Sequence, residues 1–428
     1  HPCFIFREFA VYTLDTVCIK SIDCEFPKNE TGMLERAKFA AIGFLKSFAA
    51  SSMQGTKGKE DTEVVQVWVQ RNRDYVDLMQ QIANEYYTKE TGVRVEVNYC
   101  PAGMNLLVLA NASDKKPDIV TGVDIGIPYE FAVRDALVDL SKYPDFEELM
   151  ENVVPGSRIP YQIGDREYAV AEEVKTNILY YREDILGQLD VEVPETWEET
   201  TKAVSTLLQN NYNFFYPYGD FLTFFFQRDV DVYTENGMDI AFDNVKGYEA
   251  FKYWTDLYLK YGIDPKMSSF YQHFRLGDVP LGITGIDQYM LLEMAAPDIT
   301  GKWNIAVAPG TVNEEGENIR WQAGTQNGAM IFKSNKTRED RAWDFLKWWL
   351  SDEVQFLYAD DLENIYGEEF RYFSANTEVV AKQNWKEDVK KAILEQLSWY
   401  RQIPMVPGGS YITQREIWNA WTRTVIDK

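Results

Sequence analysis

Hydrophobic positions change their period along this chain, and each change marks an element. Val64–Val69 is a continuous apolar-rich run of the buried-strand type. From Asp74 the residues Val76, Met79, Ile82, Ala83, Tyr86 and Tyr87 recur at helical spacing, and Gly92 closes the pattern. Val93, Val95, Val97 and Tyr99 then alternate as a strand. Strand, helix and strand in this order predict a βαβ unit, hence parallel pairing and a right-handed crossover. Asp118–Val120 supplies a third strand and Pro128–Asp135 a following helix.

The stretch Gly164–Glu199 is the most sharply marked. Two β-rich runs, Tyr168–Val170 and Ile178–Tyr181, precede Pro194 and a helix start. Thr196 stands three residues before Glu199, which predicts a capping box closed by hydroxyl and carboxylate. Helical periodicity follows at Trp197–Gln209, Tyr248–Tyr261, Asp287–Ala295, Arg338–Leu350, Asn384–Arg401 and Gln414–Lys428. Leu281–Thr284, Trp303–Pro309 and Ala329–Phe332 read as strands, and Pro404–Ser410 as a Pro/Gly-rich loop.

Residues 1–62 differ. Phe4–Phe26 resembles one or two strands, Thr31–Ala50 carries an amphipathic helical pattern, and Ser51–Glu60 reads as a linker. This segment is expected to be an extension or the tail of an upstream module. Beyond it, alternating elements in two halves, the second returning to the first, predict an α/β fold of two lobes. Each lobe is a mixed sheet flanked by helices, with a ligand cleft between the lobes and closure by a hinge. The expected division is 63–174 with 309–350, and 175–308 with 351–428, crossing over near Lys175.

Composition narrows the function. The 428 residues carry a net charge of −24, which repels phosphate backbones and argues against nucleic acid as a partner. The longest apolar runs, such as Phe221–Phe226, are too short to span a bilayer, and His1–Phe9 lacks the features of a signal peptide. Abundant aromatic residues, 26 Tyr, 24 Phe and 12 Trp, can fill cores and still line a sugar-binding cleft. Cys3, Cys18, Cys24 and Cys100 have no zinc spacing with His1 and His273. One disulfide among the first three, or unpaired buried thiols, are both open. No metal or cofactor is expected.

Several separated blocks carry a resemblance. VWV at Val67–Val69 with the later TGVRVEV, PDIV at Pro117–Val120, and DALVDL at Asp135–Leu140 come first. YAV, LYYREDIL and TWEE follow, then FRLGDVPLGITG at Phe274–Gly285 and RAWDFLKWWLSDEV at Arg341–Val354. In order and spacing, residues 63–428 resemble the family 1 extracellular solute-binding proteins of ABC transporters, the maltose-binding-protein-like group. Two departures stand out. Ala171 replaces the usual proline after YAV, and Asp287 and Tyr289 stand where a Trp is frequent.

The resemblance implies a carbohydrate ligand, and each implied contact has a structural alternative. Arg71, Asn72 and Arg73 follow the first strand; they reach the ligand or form a solvated loop before a helix capped by Asp74. Asp124 takes sugar hydroxyls or caps a helix. Glu172 and Lys175 flank the crossover; with Glu173 they suit hinge or ligand contact better than catalysis, since neighbours on a strand point to opposite faces. Tyr218, Asp220 and Phe221 sit in dense aromatic sequence that is cleft or core. Asp287 and Tyr289 supply a sugar-stacking face or a core contact. Trp321, Thr325 and Gln326 belong to a polar loop expected to face the cleft. Tyr411, Arg415 and Trp418 form a sugar platform or a structural stack.

These readings lead to an extracellular, lipid-anchored or secreted monomer that delivers a carbohydrate, expected to be an oligosaccharide, to the membrane-embedded permease subunits of an ABC importer. It would perform no covalent chemistry. The rivals are a glycan-acting enzyme and a receptor or adhesion module on the same fold.

Overall fold

A computed structural model describes residues 64–234, 237–267, 269–409 and 411–427, with the backbone of two short antiparallel strands, Ile5–Phe6 and Val17–Cys18. The expected helix at 31–50, the linker at 51–60 and the side chains of Cys3, Cys18 and Cys24 lie outside the described residues. The chain divides into two compact units, His1–Asp61 and Thr62–Lys428.

The larger unit is organised by one mixed sheet. Its strands are β1 (Val64–Val69), β2 (Arg94–Tyr99), β3 (Ile119–Asp124), β4 (Val170–Arg182), β5 (Phe214–Phe215), β6 (Leu281–Gly285), β7 (Trp303–Ala306) and β8 (Gly324–Ile331). The order is β2-β1-β3-β8-β4-β6-β5, and β7 also pairs with β4. Parallel pairing of β1 with β2 and β3 realises the predicted βαβ unit. β8 inserts antiparallel between β3 and β4, which returns the late chain to the early lobe.

β4 is the main departure from expectation. Sequence periodicity suggests two runs separated by polar residues; the structure has one strand of 13 residues. Its first half pairs with β8, Ala329 opposite Val170 through Gly324 opposite Thr176. Its second half pairs with β6 and β7, from Asn177 opposite Gly285 to Arg182 opposite Trp303. Glu172, Glu173 and Thr176 break the apolar pattern and yet are buried, because the strand is covered on both faces. Gly324 is required at this crossing: a Cβ would lie 2.1 Å from the Lys175 carbonyl oxygen.

Several helices begin where the sequence says. Trp197–Gln209 starts with the capping box of Thr196 and Glu199, and Asp287–Ala295 has the expected bounds. The helix after β1 runs from Arg73, with Asn72 rather than Asp74 at its N-cap. The helix continues through a π-turn at Ala83–Tyr87, where Tyr87 is 4% exposed against Phe345 and Trp348 while Tyr86 is 48% exposed. Adjacent residues stand about 100° apart around an α-helix, so one ring can be buried while its neighbour is exposed.

One apolar core gathers around β1, β3, β8 and the start of β4, a second around Trp197, Phe224, Trp254 and Trp421. Ile178 and Tyr180 face the first and Leu179 the second. The helix Asp352–Tyr366, expected with the second lobe, packs on Arg73–Ile82 of the first. The Tyr358 hydroxyl donates to the Tyr75 carbonyl at 3.2 Å and the rings meet edge to face. Buried Val354, Tyr358 and Leu362, on one face, provide the reason.

Candidate functional site

A cleft of about 720 Å³ opens where β3 ends and β8 begins, against the second lobe. The first lobe lines it with Asp124 and Ile125 after β3 and with Gly324–Asn327 of β8. The second lobe contributes Tyr218, Gly219, Phe221 and Leu222, the Gln402–Val406 loop, and Thr413, Gln414, Ile417 and Trp418.

Strand alternation sorts the β8 residues. Thr325 is exposed and Asn327 half-buried, whereas Gln326 between them is 3% exposed and turned inward. Its amide donates to the Ser157 carbonyl at 2.9 Å, and the Tyr400 hydroxyl donates to its oxygen at 3.0 Å. Gln326 therefore shapes the wall from behind. The expected strand start at Ala329 hid this, because β8 begins five residues earlier.

The opposite wall is aromatic. Tyr218, 45% exposed, lies 5.0 Å from Trp418 and 5.9 Å from Trp421, centroid to centroid. Trp418 and Trp421 stack at 4.8 Å with 11° between planes, and Trp254 closes behind at 5.9 Å. These stacked and tilted contacts hold the rings in place. Asp220 sits behind this wall. Its carboxylate accepts from Asn177 Nδ2 at 2.8 Å, the Tyr216 hydroxyl at 3.0 Å and the Thr223 hydroxyl at 2.8 Å. Burial pushes its pKa up from the ordinary value, and those donors limit the rise. It ties the Tyr218 loop to β4 and does not line the cleft.

Arg71 and Glu172, expected at the ligand, instead meet each other. Arg71 pairs with Glu173 and lies 3.5 Å from Glu172. Glu172 accepts from the Gly122 N–H at 2.7 Å and from the Trp349 indole at 3.2 Å. Adjacent carboxylates reach one guanidinium because β4 bulges against β8: Asn327 opposes Glu173, Gly328 opposes Ala171, and Glu172 is the extra residue. Burial alone would disfavour the guanidinium charge, but Glu173, Tyr372 and Glu172 outweigh it and hold Arg71 protonated. Gly122, with φ +69°, fits beneath Arg71, whose Cγ would stand 3.0 Å from any Cβ there.

The remaining candidates also lie outside the cleft lining. Asn72 and Arg73 are exposed, Arg73 over the Tyr99 ring. The Lys175 ammonium lies over Phe373 at 5.5 Å. Tyr289 is 4% exposed between Trp303 and Trp385, the core alternative, and Asp287 is exposed at its helix start. Trp321 packs edge to face on Trp399. Tyr411 and Arg415 stack on each other at 3.9 Å, on a face distinct from that of Thr413, Gln414, Ile417 and Trp418. The π-turn Tyr411–Glu416 sets that division. Thr325 lines the cleft as expected of its polar loop; sequence reasoning did not single out Asn327 within that loop, nor Gln402–Val406, although a polar period-2 run before Ala329 was the available signal.

Of the expected site residues, then, Asp124, Tyr218, Phe221, Gln326 and Trp418 are brought together around one interlobe cleft. A profile of the family described as bacterial extracellular solute-binding protein matches residues 72–356, two thirds of the chain. The chain belongs to that family. Solved structures of the same two-lobe fold include the sugar-binding protein MalE of Xanthomonas citri, at 18% identity and TM-score 0.72, covering 85% of this chain and 93% of that one. The cyclic α-maltosyl-1,6-maltose-binding protein of Arthrobacter globiformis is 19% identical at TM-score 0.68, covering 85% and 94%. Comparison with the curated proteins gave no match. In this solute-binding protein no described helix is long and apolar enough to cross a membrane. Among the described residues no cluster of His, Cys, Asp and Glu is arranged to hold a metal ion.

Proposed function

We propose that this solute-binding protein captures a carbohydrate, an oligosaccharide by the size of the cleft, and passes it to the permease of an ABC importer. The observation that carries the reading is the unlike character of the two facing walls. Asp124, Thr325 and Asn327 offer hydroxyl partners, and Tyr218 and Trp418 offer apolar faces. A pyranose has both requirements: C–H faces that gain from leaving water and hydroxyls that must be satisfied when they leave it. The MalE and cyclic maltosyl-maltose relatives are named for sugars, which supports the same class. Lobe closure about β4 completes the shell.

The protein acts by binding alone, as a monomer held at the cell surface by a lipid anchor or secreted. A glycosidase needs two carboxylates flanking one bond, and among the described residues Asp124 is the lone carboxylate of the lining; Glu172 and Glu173 are engaged by Arg71. Thermal unfolding with added mono- and oligosaccharides tests the proposal, because a ligand of the native state raises the midpoint. A rise with at least one oligosaccharide and no release of reducing ends is expected. No shift across the set, or hydrolysis lost on Asp124→Asn, refutes it.

A further inference from the structure

We infer that the cleft admits uncharged carbohydrate and excludes acidic glycans, with Asp124 setting this bar; the inference rests on the carbohydrate reading above. Three observations carry it. Among the described residues the cleft lining contains no Lys, Arg or His, and its charged member is Asp124, exposed at the end of β3. The cations on neighbouring elements are already engaged. Arg71 is held by Glu172 and Glu173, Arg401 by Asp231 at 2.7 Å, and Arg415 by Glu416 at 2.9 Å, while Lys175 lies over Phe373. The chain as a whole carries −24, so its field opposes an approaching anion.

A uronate, sulfate or phosphate ester entering the cleft would lose water and meet no cationic side chain among the described lining residues, only the Asp124 carboxylate. An unpaired charge in a partly dry site is costly, and a like charge beside it adds to the cost. A hydroxyl meets the reverse: Asp124 accepts from it, and Thr325 and Asn327 both donate and accept. The arrangement rejects by charge what it would hold by shape.

Isothermal titration of the full chain with maltotetraose, cellotetraose, chitotetraose and tetragalacturonate, at low and at high salt, provides the test. A neutral tetrasaccharide should bind at least about tenfold more tightly than tetragalacturonate at low salt, and the gap should narrow as salt rises. In Asp124→Asn, checked for native circular dichroism and unfolding midpoint, the ratio of neutral to acidic affinity should fall severalfold, whatever happens to either affinity alone. Tetragalacturonate binding as tightly as the best neutral sugar overturns the inference and leaves carbohydrate capture standing. So does a ratio unmoved by Asp124→Asn or by salt. Absence of binding by all four sugars, with a native-like protein, overturns the capture reading and the inference with it.

Discussion

Asp124, Thr325 and Asn327 stand on strand ends of the first lobe, while Tyr218, Phe221 and Trp418 face them from loops and helices of the second. The two walls are secured differently. Behind the first, backbone ladders and the Arg71–Glu172–Glu173 cluster set strand ends in place, as hydrogen-bond direction demands. Behind the second, rings hold rings, and the contact they offer is non-directional and proportional to area. The comparison suggests that the polar wall discriminates and the aromatic wall supplies affinity. Changes behind the first should therefore damage stability, and changes on the second should damage binding.

The largest effect should come from Arg71→Ala. It leaves Glu172 and Glu173 buried without their cation, and breaking such a group typically costs about 3–5 kcal/mol; denaturant unfolding should read that loss. A variant of near wild-type stability would show that the first wall does not depend on the cluster. Trp418→Ala follows. Removing a stacked ring from the cleft should cost about 2 kcal/mol of binding, near thirtyfold in Kd by calorimetry, with a smaller drop in unfolding midpoint. A fall in stability with affinity intact would reverse the roles assigned to the walls.

Asn327→Ala should be milder, about 1 kcal/mol or roughly fivefold in affinity, and should change the ranking among epimeric sugars more than the affinity for all of them. A uniform loss would mean that the polar wall does not discriminate. The smallest effect concerns Asp220, whose pKa is raised in the folded state above the ordinary 3.8. Between that value and the raised one the unfolded chain ionises first. Wild type should thus lose stability relative to Asp220→Asn as pH rises through this window, and the difference should be flat below it. Midpoints measured from pH 3 to pH 7 give the slope; an opposite slope would mean that the donors around Asp220 outweigh its burial.

Much of the fold is legible in the residues. Period-2 and period-3.6 patterns locate β1, β2 and most helices, and Thr196 with Glu199 marks its helix start to the residue. The site is legible only in part. Asp124 and Trp418, which the family resemblance singles out, fall on the cleft lining. Arg71 and Glu172 look like ligand contacts because nothing local announces a bulge that turns two adjacent carboxylates towards one cation. Tyr289 looks like a sugar platform because a Tyr at a helix start reads alike in core and cleft. Tyr411 and Arg415 fall on a different face through a π-turn that has no plain sequence signature. In each case the deciding information is a contact between residues far apart in the chain.

The 13-residue β4 has a consequence for how the protein comes apart. A strand that lends one half of its amides to β8 and the other half to β6 and β7 leaves neither lobe with a complete set of edges of its own. Severing the chain at residue 176 would expose two raw strand ends at once, one in each sheet. The lobes are therefore expected to melt together, in one cooperative step, and neither half expressed alone should hold its shape.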